Sequence, residues 1–308
     1  MTQSIPLGDD VRVRLQRTLR VPDDGGDHPL PPSLGAMAVT HVDTLSPGAR
    51  EVLGVGDARY VVALRDGEAL WLDFDARHWH PSALKVGLGT VCAVTGETYE
   101  PARLGVCGQD YLVVPDQPWL DGVATGEGFV RQFVATALGT GATVEEQLSD
   151  DAHRGGLRFA TFAATPGRFP EAPPPEPECD GDVMCCMAPA LGLAAGGRIR
   201  QEIYDDHHGP GTWEQKPVES VEVALVEATA FAAVTSLPVP SEPIDAATYT
   251  AHGFPWFELH DPRRQALDVA AKLEAIRSLA ELRGTRDAVL VVDPEQVIAL
   301  LNAAVAVR

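Results

Sequence analysis

Two pairs of histidines offer the metal-like chemistry in this chain: His78 and His80 around Trp79, and His207 beside His208 after Asp205 and Asp206. Side chains two apart on a strand share a face, so His78 and His80 could reach one ion, with Asp73 and Asp75 in the same alternation. Imidazole and carboxylate ligands suit Zn, Mn or Fe, and a divalent ion held by them would acidify water into a nucleophile for hydrolysis. Neither pair follows a His-Glu-x-x-His pattern, and Pro81 ends the first strand directly after His80. Histidines on loops and surface are the plainer account. A softer ligand set stands at Cys179, Cys185 and Cys186, flanked by Met184 and Met187, in an acidic segment that could fold around Cu(I) or Zn. It lacks the paired Cys-x-x-Cys spacing of a structural zinc site, and small thiols commonly just anchor a loop.

Nucleophile and phosphate motifs are absent. There is no Gly-x-Ser-x-Gly elbow, and no histidine is placed by the sequence beside Cys107. Glu97, Asp116 and Asp121 are acids beside glycine or proline, where turn hydrogen bonding explains them as well as acid/base work does. The run from Gly192 to Arg198 has no Gly-Lys-Ser/Thr and precedes an alternating segment, so it reads as a glycine-rich turn entering a strand. The aromatic bends are different. Pro118-Trp119 and Pro255-Trp256-Phe257 each hold a large aromatic at a rigid turn, the residue type that concentrates binding energy at contact surfaces. Trp119, Trp256 and Phe257, with Arg198 as a polar companion, are therefore the candidate binding residues; anchoring of long connections to the core is the competing account.

The elements that would position these residues are mostly strands. Residues 1–165 show short alternating segments broken by Gly and Pro, as at Val11 to Val21, Tyr60 to Leu64, Glu68 to Phe74, Phe129 to Ala135, Thr143 to Leu148 and Leu157 to Ala163. Such spacing predicts an antiparallel β-sandwich or barrel, with a hairpin at Arg65-Asp66-Gly67. Residues 166–190 are acidic and rich in proline, which withholds a donor from any sheet, so they read as a linker or long loop. Residues 191–308 read as a smaller mixed α/β part. It has strands at Ile199 to Tyr204 and Val218 to Leu225 and an Ala-rich helix at Glu227 to Thr235. A long helix is expected from Pro262 to Arg283, stopped by Gly284, then a strand at Ala288 to Val292 and a closing helix after Asp293. The fold class expected is α+β, mainly β.

The chain of 308 residues carries a net charge of -20, spread over both halves, which disfavours a polyanion partner. No run of eighteen apolar residues and no export signal occurs, so a cytoplasmic protein without a membrane span is expected. Five cysteines without such a signal argue against a disulfide framework.

The segments LWLDF (70–74), AVTGE (93–97), QDYLVVPDQPWLDG (109–122), GLAAGGRIRQEIY (192–204) and GFPWFEL (253–259) resemble a group of uncharacterised bacterial proteins. The resemblance spans most of the chain and implies a shared architecture, carried by turn glycines, prolines, aromatics and strand positions, without implying an activity. Taken together, these readings favour a non-enzymatic protein that binds a protein partner or assembles as a homo-oligomer through its aromatic turns. The alternative is a metal-dependent hydrolase at the His/Asp clusters, with a divalent metal as cofactor, or a soft-metal thiol site at the three cysteines.

Overall fold

The computed structural model describes residues 2–105, 108–125, 128–150, 154–170, 190–235, 239, 241–259, 264–268 and 270–300. The chain is mainly β. Its strands are β1 (Ile5–Leu7), β2 (Val11–Thr18), β3 (Asp27–His28), β4 (Ser33–Ala36), β5 (Val39–His41) and β6 (Tyr60–Leu64). Next come β7 (Ala69–Ala76), β8 (Ser82–Leu88), β9 (Val91–Cys92), β10 (Leu112–Val114), β11 (Trp119–Leu120) and β12 (Gly122–Ala124). The remainder are β13 (Phe129–Ala137), β14 (Leu157–Phe162), β15 (Ala190–Arg200), β16 (Glu219–Glu227), β17 (Trp256–Leu259) and β18 (Val297–Leu300). Among the described residues six short helices decorate them: α1 (Pro47–Val52), α2 (Val144–Leu148), α3 (Ala228–Thr235), α4 (Ala246–Ala251), α5 (Ala271–Glu274) and α6 (Leu279–Arg283). No helix among the described residues is long and apolar enough to cross a membrane.

Sixteen strands form one sheet, with the central order β1-β2-β7-β13-β15-β16-β14-β8-β10. Pairing is antiparallel except at β3 with β15 and β6 with β16. Alternation explains the curl around a core: Val11, Val13 and Leu15 of β2 are buried together with Leu72, Leu84, Val86, Phe133, Phe159, Leu193 and Val223. Each such side chain contributes roughly 1.5–3 kcal/mol by leaving water. The sheet is not closed by hydrogen bonds. β10 is its last strand, and the chain crosses from there through Pro115 and Pro118 to β11, which pairs with β7 on the far part of the sheet. Both candidate regions described below lie along this crossing. The expected division at residues 166–190 falls between β14 and β15, two strands of the same sheet.

Several local expectations are corrected. The Arg65-Asp66-Gly67 turn exists, but it does not make a hairpin. β6 leaves to pair with β5 and β16, β7 pairs with β2, β11 and β13, and the Gly67 amide donates to the Ala135 carbonyl. The run from Gly192 to Arg198 lies wholly inside β15, because a side chain there would meet neighbouring chain. A Cβ on Gly197 would lie 2.3 Å from the Pro22 carbonyl oxygen. Residues 144–148 form helix α2, nucleated by a capping box in which Thr143 and Glu146 satisfy each other's amides.

The long helix expected up to Arg283 is instead α5 and α6, since buried Ser278 caps a new helix through the Glu281 amide; residues 260–263 and 269 lie outside the described residues. Its stop holds: Gly284 takes the left-handed conformation, and Leu273, Ile276 and Ala280 are buried. Residues 288–292 pair with no strand, although the Leu290 amide donates to Asp24. Asp293 caps a single 3-10 turn at Pro294–Gln296, and the chain then enters β18, parallel to β17.

Candidate functional site

Side-chain amides, rather than a backbone ladder, join the crossing segment to the chain after β15. Gln109 donates to the carbonyls of Tyr111 and Tyr204 at 3.0 and 3.1 Å and accepts from the Asp206 amide at 2.7 Å. Gln117 donates to the Trp119 and Glu202 carbonyls and accepts from the Tyr204 amide at 3.0 Å. Gln201 closes the series, accepting from the Asp121 amide at 2.9 Å and donating to its carboxylate at 2.6 Å. Each glutamine supplies both a donor and an acceptor, so buried main-chain groups are satisfied where strand geometry fails. The segments 109–122 and 192–204 are thus neighbours. One end of this strip carries a histidine cluster and the other an aromatic cavity.

At the histidine end, Asp206 is the organiser. One of its oxygens accepts from the Tyr111 hydroxyl at 2.7 Å and the Trp213 indole at 2.8 Å, and the other from the amides of His208 and Gly209. Burial, reinforced by this carboxylate, raises the Tyr111 phenol above its ordinary range, so it stays a donor. The imidazole of His208 stands edge-on to Phe169 and Trp213. Beside it, Asp116 Oδ2 lies 3.4 Å from His208 Nε2 and 3.6 Å from His207 Nδ1. Donor atoms of Asp116, His207 and His208 all fall within 4.8 Å of one another. For ligand bonds of about 2.0–2.1 Å, a tetrahedral zinc site separates its ligands by about 3.3 Å, so the spacing fits a metal.

Arg264 fits the same space. It pairs with both oxygens of Asp116, at 2.6 and 2.9 Å, and donates to His207 Nδ1 at 2.8 Å. Desolvation, then the neighbouring His208 and Arg264 set against Asp116, moves the His207 imidazole below its ordinary range, which keeps it neutral.

At the other end, Trp71 on β7 and Trp119 on β11 lie diagonally across the strand pair in which Trp119 faces Asp73. Their ring centroids are 6.1 Å apart at an angle of 59°. With Phe257, Leu30, Pro31, Pro32 and Leu300 they line a cavity of about 200 Å³, to which Ser33 and Asp121 also contribute. The Trp71 indole N–H is buried without a hydrogen-bond partner among the described residues. Asp121 is 2% exposed, and burial pushes its carboxyl up to about 7 against the lowering effect of hydrogen bonds from Trp119 and Gln201.

The other candidates are placed as follows. His78 is exposed and His80 half-buried in the turn after β7, which ends at Ala76, so the shared strand face expected for them does not form. His80 instead lies edge-on to Phe169, and Asp73 and Asp75 are held by Arg14. Trp256 is fully buried in the core beside Tyr249 and donates to Thr250, so it presents no surface in this chain. Phe257, half-buried, lines the cavity. Arg198 pairs with Asp27 and covers the ring of Phe129 at 4.4 Å. Cys179, Cys185, Cys186 and Cys107 lie outside the described residues, and Cys92 is a buried thiol raised by that burial.

Sequence reasoning missed Arg264 and the pairing of Asp116 with the histidines, both long-range contacts with no local signature. It also left Trp71 out of the site, although the alternation Trp71, Asp73, Asp75 on one strand face was available. Comparison with family models, with curated proteins and with solved structures gives no match for this chain.

Proposed function

We propose that the protein is a non-enzymatic binding protein whose contact site is the cavity between Trp71, Trp119 and Phe257. The observation that carries this reading is an open apolar recess walled by Trp71, Trp119 and Phe257; the Trp71 indole N–H is buried with no hydrogen-bond partner among the described residues. A buried donor left unpaired is unfavourable by about 1–3 kcal/mol. At about 200 Å³ the recess is smaller than the roughly 300–1,000 Å³ of drug-sized pockets, so it takes one projecting group of a partner or one headgroup. If the partner is a second copy, the native mass exceeds 32.8 kDa and falls to it in Trp119→Ala. The general test is a screen of small cationic, neutral and anionic fragments followed by the indole N–H resonances. Binding moves the Trp71 and Trp119 signals together and spares that of Trp256. A screen in which no fragment moves these two signals refutes the reading.

A second reading, a divalent metal at Asp116, His207 and His208, is favoured by the convergence of their donor atoms within 4.8 Å. Arg264 is its built-in competitor. Arg264→Ala should tighten zinc binding on the order of 10–100-fold, the scale on which outer partners tune metal sites. Calorimetry showing no zinc uptake by either form removes this reading.

A further inference from the structure

We infer that the Trp71, Trp119 and Phe257 cavity takes a small methylated ammonium cation, with Asp121 as its counter-charge. This rests on the binding reading above. A cation is attracted by an aromatic face when it sits within about 6 Å of the ring centroid, and an onium group held by several rings is the strongest use of that attraction. With centroids 6.1 Å apart and planes inclined at 59°, one group seated in the angle between Trp71 and Trp119 reaches both. Phe257 supplies a third aromatic wall, and Leu30, Pro31, Pro32 and Leu300 supply apolar contact for methyl groups.

Charge points the same way. Among the described residues lining the cavity Asp121 is the one ionisable group, and none of them is a lysine or arginine that would attract an anion. The net charge of -20 raises the concentration of small cations around the whole surface. Methylation matters because a primary ammonium carries three donors and a tight hydration shell, which walls of carbon cannot replace. A quaternary nitrogen has no donors to satisfy. A ligand that also carries a hydroxyl meets Ser33 at the cavity lining as a polar partner. Choline unites both features and is the probe of choice.

Asp121 also makes the site responsive to pH. The groups facing it are Gln201, just after β15, and Trp119 on β11, both uncharged, while Asp73, opposite Trp119 on β7, is already paired with Arg14. Its carboxyl, pushed up to about 7 by burial, must lose its proton to balance a cation, so binding strengthens as pH rises from about 6 to about 8.

The experiment compares choline with 3,3-dimethyl-1-butanol, its uncharged isostere, by calorimetry and tryptophan fluorescence on the full chain at constant ionic strength. Choline should bind about tenfold or more tightly than the alcohol, a margin set by the desolvated cation–π contact. Asp121→Asn should weaken choline about tenfold, abolish the pH dependence and leave the alcohol unchanged, since asparagine imitates the protonated acid. Equal affinity for the two probes overturns the cation inference and leaves the binding reading standing. If fragments of every charge type also fail to seat in the cavity, the binding reading falls with it.

Discussion

The histidine cluster and the aromatic cavity sit at opposite ends of one glutamine-zipped strip, yet they handle their polar groups in opposite ways. At the histidine end each carboxylate is saturated by the chain itself. Asp206 receives four donors, and Arg264 covers both oxygens of Asp116 while reaching His207. At the aromatic end, among the described residues, a buried indole lacks an acceptor and a buried carboxyl lacks a counter-charge. Residues that look most like catalysts are thus tied to one another and to the loops around them. Residues that look like packing are left with unmet valence, and unmet valence inside a recess is what a ligand answers.

The sharpest way to break this contrast is to remove the organiser of the saturated end. Asp206→Ala deletes four hydrogen bonds and strands the Tyr111 hydroxyl and the Trp213 indole, both on side chains buried in one satellite core. At roughly 1 kcal/mol per bond, and more for donors left buried, the expected loss is about 4 kcal/mol in urea unfolding. A loss under about 1 kcal/mol would show that the cluster is not a structural brace, and would return its histidines to consideration as a working site.

The pH dependence of stability tests the unsaturated end. Asp121 has a folded value of about 7, above the roughly 3.9 of an unfolded chain, so the native state keeps a proton that the unfolded state has lost. Stability contributed by that proton is full below about pH 4 and is lost as pH rises through 7. Between pH 6 and pH 8 the Asp121 contribution falls by about 1.4 kcal/mol. Thermal melts of wild type and Asp121→Asn in parallel isolate this group from other titrations. The two curves should diverge from about pH 4 to about pH 7 and run parallel above it, with the variant the flatter. Curves parallel over the lower range as well would mean that the carboxylate has a counter-charge after all, and the cation inference would lose its partner.

The sequence made the β character legible because period-two alternation is a local property, clear in Val11, Val13 and Leu15. It made helix ends legible where a cap is local, as at Gly284 and Asp293. What it could not show were pairings decided far along the chain. Arg65-Asp66-Gly67 has hairpin chemistry, but the partners of β6 are β5 and the distant β16, and their burial overrides the turn. Gly197 looked like a turn residue because its real constraint, the Pro22 carbonyl, lies 175 positions away in sequence. For the site, aromatic turns drew attention to Trp119 and Phe257, which line one cavity. The same logic cannot separate them from Trp256, which shares the proline-bend signature and is core. Only three-dimensional neighbours distinguish a tryptophan that packs from one that waits.

The finest test applies one substitution at both ends. Trp213 donates its indole N–H to Asp206 at 2.8 Å, whereas the Trp71 indole has no acceptor among the described residues. Tryptophan to phenylalanine removes similar volume from each place, but Trp213→Phe also takes a hydrogen bond from the carboxylate, and Trp71→Phe deletes an unfavourable orphan. The expected cost is about 2 kcal/mol for Trp213→Phe and under about 1 kcal/mol for Trp71→Phe, a difference of about 1 kcal/mol. Trp213 is also the more deeply buried, so the comparison is completed by adding choline. If the Trp71 ring walls the bound cation, Trp71→Phe weakens choline while leaving the unliganded protein nearly as stable, a separation that packing alone does not produce. A Trp71→Phe variant as costly as Trp213→Phe and unchanged in its affinity would place Trp71 with the braces and dissolve the contrast between the two ends.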